Sequence, residues 1–233
     1  MTAGARAGAL ARITAEVVEC RACPRLVAWR EEVARHPRPA FRDEPYWARP
    51  IPGFGDPGAR LAVVGLAPAA HGGNRTGRIF TGDRSGEWLF RALHRAGFAN
   101  QPHSVSREDG LRLIGAFVTA AVRCAPPANR PTPEERDTCS GYLVRELAVL
   151  QPAVIVVLGS FGYEAVWRAL RANGVAVPSP RPRFGHGVEV QTGGPVIVCS
   201  FHPSQQNTFT GKLTEAMLDA VFARARELVG GRR

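Results

Sequence analysis

The feature that most limits what this chain can fold into is a short, β-branched apolar run that recurs ahead of helical segments. "RLAVVGL", "GAFVTAAVRC" and "AVIVVLGS" are runs of this kind, and "GVEVQTGGPVIVCSF" reads as two strands joined by a Thr-Gly-Gly turn. Between and after them lie "SGEWLFRALHRAGF", with Gly97 placed as a stop, "PTPEERDTCSGYLVRELAVL", "FGYEAVWRALRANG" and a closing "LTEAMLDAVFARARELV". In the second of these, Thr132 is placed as N-cap, Pro133 in the first turn and Glu135 three residues on, a capping box. Strands that alternate with helices bury both faces of a mostly parallel sheet, so the expected fold class is α/β, a three-layer sandwich with a central mostly parallel sheet. Ligands of such sheets bind at the carboxyl ends of the strands. Gly65, Cys124, Gly159 and Cys199 mark the expected ends.

At 233 residues the chain fits one domain with a sizeable core. Residues 59–230 form the expected core, and residues 1–58 an N-terminal piece docked on it. That piece begins with one or two amphipathic helices interrupted at Pro24 and ends in "HPRPAFRDEPYWARPIPGFGDPG", whose prolines and glycines predict irregular chain. No run reaches the roughly 18 apolar residues of a membrane span, and the first thirty residues lack a secretory pattern. The expectation is a cytoplasmic protein with no membrane partner. The formal charge of +10 comes from 30 basic residues, of which only Lys212 is a lysine. That balance suits a polyanion such as nucleic acid, although coding bias toward arginine produces the same excess.

Two loops carry unusual chemistry. Leu61 to Asp83, "LAVVGLAPAAHGGNRTGRIFTGD", is rich in donors and has no carboxylate before Asp83. The second, "FHPSQQNTFTGKL", follows the last strand and puts His202 at a strand end, ahead of amides and hydroxyls suited to phosphate and base edges. A solvated surface loop is the plain alternative for it. Five cysteines in a reducing compartment are read as metal or redox chemistry before disulfides. Cys20 and Cys23 form a C-x2-C pair; Cys124 and Cys139 converge on it only if the N-terminal segment docks there. Four thiolates suit a four-cysteine iron–sulfur cluster or a structural zinc, and the spacing does not choose. Cys199, inside "VIVCSF", reads as a small core residue.

Together "CRACPRL", "VVGLAPAAHGGNRTGRIFTGD", "AAVRCAPPANRPTPEE" and "SFHPSQQNTFTGKLT" resemble the fifth family of the uracil-DNA glycosylase superfamily, the type B enzymes of bacteria and archaea. The resemblance implies the superfamily's fold, excision of deaminated bases from DNA, and one 4Fe-4S cluster on Cys20, Cys23, Cys124 and Cys139. Better-known families carry an Asp, a Glu or another polar residue in the first loop to position or activate water. Here those positions read Leu66-Ala67-Pro68-Ala69. The position of the uracil-reading asparagine matches Ala120 in Thr119-Ala120-Ala121, which implies a pocket open to hypoxanthine and altered pyrimidines besides uracil.

On this scheme the base leaves first, as an anion. Backbone N–H groups of Gly65, Leu66, Ala67 and onward to Ala70, together with His202, stabilise it, and Phe80 stacks on the flipped base. Asp83 orients water or stabilises the sugar cation, and as a helix cap it has a second role open to it. Asn129 is a further polar candidate, with a turn role equally open. Expected contacts to double-stranded DNA are His71, Asn74 and Arg75 in the first loop and Ser204, Gln205, Gln206, Asn207 and Lys212 after the last strand, with Gln205 or Gln206 as the wedge. Arg168, Arg171, Arg181 and Arg183, in an acid-free interval, extend the footprint, with coding bias toward arginine as the plain alternative. The expected enzyme is a monomeric, monofunctional glycosylase that leaves an abasic site. The rival from another class is a non-catalytic iron–sulfur protein that recognises damaged or abasic DNA. A nucleotide or redox enzyme on the same sheet fits poorly, since no G-x-G-x-x-G follows the first strand.

Overall fold

A computed structural model of the protein describes residues 1–231. Its sheet has six strands in the order β1-β3-β2-β4-β6-β5. The central four, β2 (Leu61–Gly65), β3 (Ala116–Ala120), β4 (Val154–Leu158) and β6 (Val196–Ser200), are mutually parallel and buried along their whole length. That burial is why they read as unbroken apolar runs rather than alternating ones. Two-residue strands β1 (Phe54–Gly55) and β5 (Glu189–Val190) close the edges antiparallel, so the sheet is mixed.

Side chains alternate across the sheet and build two cores. Leu61, Val63, Val154, Val156 and Val198 join Leu89, Phe90 and Leu93 of α4 (Arg84–Arg95) and Leu218, Val221 and Phe222 of α8 (Glu215–Gly231) on one face. On the other, Ala62, Val64, Ile155, Val157 and Ile197 meet Leu143 and Leu147 of α5 (Pro133–Leu150) and Val166 and Leu170 of α6 (Ser160–Ala172). The capping box of α5 forms as its sequence predicts, with Thr132 Oγ1 accepting from Glu135 N–H and the Glu135 carboxylate accepting from Thr132 N–H.

The N-terminal piece folds as two helices, α1 (Ala3–Glu19) and α2 (Pro24–Arg35). Pro24 does not merely interrupt a helix; it opens α2 in its first turn, where its missing N–H costs nothing. Leu10, Ile13 and Val17 of α1 are buried against Leu150 and Tyr142 of α5. Burying a side chain of that size contributes roughly 1.5–3 kcal/mol, so the piece is held firmly before any other tie is considered. Two expectations fail here. The segment expected to be irregular contains a 3-10 turn at Pro39–Phe41 and strand β1, which adds to β3 across Phe54 and Val118. Cys124 does not end a strand, because β3 stops at Ala120 and the chain runs on alongside the first loop, Ala121 and Val122 donating to Gly65 and Leu66 carbonyls. Short helices α3 (Gly73–Thr76) and α7 (Gln205–Phe209) lie within the two functional loops.

Candidate active site and cysteine cluster

At the carboxyl ends of the parallel strands lies a cavity of about 680 Å³. Its floor is the chain leaving β2, with Leu66, Ala67, Ala69, Ala70 and His71 all exposed to it. This stretch bends back on itself: Gly72 and Asn74 N–H groups both bond the Ala69 carbonyl. The N–H groups of Ala67, Ala70 and His71 find no acceptor among the described residues, so they are free to meet a ligand.

Phe80 and His202 stand side by side in the cavity wall, ring centroids 5.9 Å apart. Phe80 holds a left-handed backbone, φ 54°, and its ring covers Gly65; a Cβ there would come within 2.5 Å of the ring. Gly65, with no Cβ, leaves room for the tip of that ring against the strand end. His202 is fixed from behind, since Asn207 Nδ2 donates to its carbonyl at 2.8 Å. Burial without an anionic partner pushes its imidazole down to about 4, so it is neutral at pH 7.

Asp83 is both a cap and a wall. Its Oδ1 accepts from Gly86 N–H at 2.9 Å at the start of α4, and it lines the cavity. Burial raises its carboxyl above the ordinary range, opposed by the Gly86 and Ser85 backbone donors. Gly72 makes room for it, because a Cβ there would sit 2.1 Å from Asp83 Oδ2. His71 also lines the cavity, tied by Nδ1 to the Tyr46 hydroxyl at 2.8 Å and stacked on Phe41; burial lowers its pKa. Asn129 sits exposed at the rim, φ 55°, one residue after Ala128 in the same left-handed region.

Several expected DNA contacts take other work. Asn74 is 1% exposed and donates to the Arg30 carbonyl, so it faces α2 and not solvent. Arg75 pairs with Glu44, donates to the His71 and Gly82 carbonyls and covers the Phe41 ring, which makes it the clamp of the first loop. Ala120 is buried in the core and absent from the cavity lining. Asn207 is turned inward to His202. Ser204 caps α7 while also lining the cavity; Gln205 and Gln206 are exposed on its rim. Lys212 is exposed over the Phe201 ring, outside the lining. Arg168 and Arg181 are both paired with Glu164.

Sequence reasoning missed Arg38, Phe41, Arg84 and Arg130, which also line the cavity. Arg38, Arg84 and Arg130 form no carboxylate pair among the described residues; Arg84 instead stacks on Phe209, a side chain 69% exposed. Nothing local marks them in a chain this rich in arginine.

On the far side of the Ala121–Cys124 segment, Cys20, Cys23, Cys124 and Cys139 line one small cavity. Cys20 and Cys23 bracket the break between α1 and α2, and Cys139 sits in α5. Two donors point at the sulfurs: Arg123 N–H to Cys139 Sγ at 3.3 Å and Arg30 Nη1 to Cys124 Sγ at 3.0 Å. Burial pushes the Cys124 and Cys139 thiols up, to about 11 and about 12. Among the described residues no three His, Cys, Asp or Glu are gathered tightly enough to hold a single ion. Cys199 is a core residue under α6.

The Uracil DNA glycosylase superfamily matches residues 52–226. Several relatives carry the name Type-5 uracil-DNA glycosylase. The one from Mycobacterium tuberculosis is 53% identical over 96% of this chain and 83% of its own. Those from Thermus thermophilus (51%, over 91% of this chain and 94% of its own) and Pyrobaculum aerophilum (47%, 90% and 88%) match nearly as fully. With the sheet, the two loops and these likenesses in agreement, the chain belongs to the fifth family of the uracil-DNA glycosylase superfamily.

Proposed function

We propose that the protein is a monofunctional DNA repair glycosylase that removes uracil from DNA by hydrolysing the N-glycosidic bond, leaving an abasic site. One observation supports this chemistry most: the cavity offers free backbone N–H groups and a neutral His202 beside Phe80, and Asp83 is its one lining carboxylate. A flipped base fits against Phe80 with its departing negative charge on the N–H groups and the imidazole. Asp83 then faces the cation left on the sugar, which weakly activated water captures. A neutral imidazole donates a hydrogen bond without needing to titrate, and this suits stabilisation of an anion better than general acid catalysis.

No side chain in the floor is placed to demand one base edge: Leu66, Ala67, Ala69 and Ala70 offer only main-chain groups. This favours a pocket that accepts hypoxanthine and modified pyrimidines besides uracil. The partner is duplex DNA, met by Gln205 and Gln206 at the vacated position and by Arg38, Arg84 and Arg130 around the mouth; the enzyme acts as a monomer in the cytoplasm. Residues 1–58 and 59–230 act as one glycosylase-like domain.

The four cysteines fit an iron–sulfur cluster. They open on one cavity and receive N–H donors, as cluster sulfurs do. Cys20, Cys23, Cys124 and Cys139 would hold such a cluster, which would tie the break between α1 and α2 to α5 and to the Cys124 segment.

Single-turnover base release from duplexes carrying uracil or hypoxanthine tests the reading, with wild type, Asp83→Ala and His202→Ala compared. Release of both bases by wild type, and losses of orders of magnitude in both variants with DNA binding retained, is the expected result. Tight binding to abasic DNA with no release would make the protein a lesion-binding factor instead.

A further inference from the structure

Arg30 lies on α2 with 2% of its surface exposed. Its Nη1 donates to Cys124 Sγ at 3.0 Å, and Nη1 and Nη2 both reach the Cys20 carbonyl at 3.4 Å. Its Nε has no acceptor, and no carboxylate pairs with it among the described residues. Arg123, equally buried, makes the contrast, for Glu146 and Thr119 neutralise and bind it. A guanidinium taken out of water without a counter-charge loses its hydration with nothing to replace it. Around Arg30, among the described residues, stand only the Cys124 sulfur and the Cys20 carbonyl, which accept its N–H groups without supplying a carboxylate.

A four-iron cube on four thiolates changes that balance. In its oxidised form the group bears a net double negative charge, and one added electron makes it triple. We infer that Arg30 is the built-in counter-cation of this cluster: it fixes Cys124 and Cys20 on the cavity and raises the reduction potential by favouring the more negative state. The inference rests on the cluster reading above. The two levers are the fixed charge beside the iron and the hydrogen bond to a ligating sulfur, both of which draw electron density from the group. The same residue joins the cluster to the base cavity, because its carbonyl receives Asn74 Nδ2 from the first loop at 3.1 Å.

The test uses the full chain with its iron. Iron and sulfide per chain are measured first. Midpoint potentials then follow from redox titration monitored by electron paramagnetic resonance, for wild type, Arg30→Met and Arg30→Lys. Met should weaken the reduced state relative to the oxidised state about tenfold, a potential more negative by about 59 mV for one electron. Lys should keep most of the wild-type value. A Met potential equal to wild type, or a Lys potential lowered as far as Met, overturns the assignment. If Met retains no iron, Lys decides: a loaded Lys variant near the wild-type potential upholds it, and a folded Lys variant without iron sinks it. Wild type without iron would instead remove the cluster reading itself.

Discussion

Replacing Asp83 by Asn and by Ala separates the two tasks that one carboxylate performs. As a cap, Oδ1 takes the Gly86 N–H at 2.9 Å, and an asparagine amide oxygen can do the same. Asn should therefore cost little stability, and Ala about 1 kcal/mol, or roughly 2–4 °C in Tm for a domain of this size. As a charge, the carboxylate lines the cavity in which the proposed reaction develops a sugar cation, and both substitutions remove it. Loss of one preorganised electrostatic partner costs about 10²–10³ in rate, equivalent to roughly 3–4 kcal/mol of transition-state stabilisation. The assay is single-turnover uracil release at saturating enzyme, with Tm measured on the same preparations. The expected pattern is a rate loss common to both variants and a stability loss confined to Ala. An Asn variant that releases uracil at the wild-type rate would refute the electrostatic role and leave Asp83 a cap alone. Because burial raises the Asp83 carboxyl above the ordinary range, its charge is lost as pH falls toward that raised value. The rate should then decline on the acid side in wild type and not in Asn.

Gly72→Ala should cut base release while leaving the fold intact, since the new Cβ at 2.1 Å from Asp83 Oδ2 must push the carboxylate aside; unchanged kinetics would show that its position is not critical. His202 sets a second pH signature. Its folded pKa near 4 lies below the unfolded value of about 6.5, so the unfolded chain binds the extra proton between them. Stability is complete above about pH 6.5 and falls as pH drops toward 4, by at most about 3 kcal/mol and less where cavity water screens the ring. In thermal melts across pH 4–8 wild type should lose stability relative to His202→Gln toward the acid end, and no inflection near pH 6.5 assignable to His202 should appear in the rate. Removing Arg38, Arg84 or Arg130 should weaken DNA binding alike for all sequences and reduce the salt slope by about 0.9 for each phosphate left without its cation; a slope unchanged in all three would place the DNA-backbone interactions elsewhere. Cys23→Ser should lower iron content and soluble yield more than the turnover of what folds, and a full-yield, iron-free variant with normal stability would argue against a structural cluster.

What the sequence disclosed and what it hid follow from the range of the interactions. The four parallel strands and the capping box of α5 are local or periodic, and all could be read from the chain, whereas β1 could not: two residues gain a ladder only because β3 lies beside them. The same limit divides the site. Asp83, Phe80 and His202 follow strand ends, where an α/β sheet puts its ligands, and all three line the cavity. Arg38 and Phe41 line it too, but they arrive from the N-terminal piece, along a path no periodicity predicts. Asn74 and Arg75 had the residue types of DNA contacts and became internal ties instead.

Those ties explain why the N-terminal piece belongs to the active site. Arg75 holds Phe41 and Glu44 over the first loop, Tyr46 holds His71, and Asn74 holds the carbonyl of Arg30, whose guanidinium meets Cys124. The loop that supplies the free N–H groups therefore rests on α2 and on the segment behind it, and not on the sheet alone. A floor that lacks an activating carboxylate depends on donors held in fixed positions, because preorganised dipoles act without reorganising as charge develops. Loosening α2 should on this argument slow base release before it weakens DNA binding, since the rim arginines and Gln205 and Gln206 sit mostly on other elements. Asn74→Ala, which cuts the tie to α2 while leaving every cysteine and every cavity-lining residue in place, isolates that dependence. A single-turnover rate lowered with little change in DNA affinity is the expected result, and equal losses in both, or none, would mean that the loop holds its shape without α2.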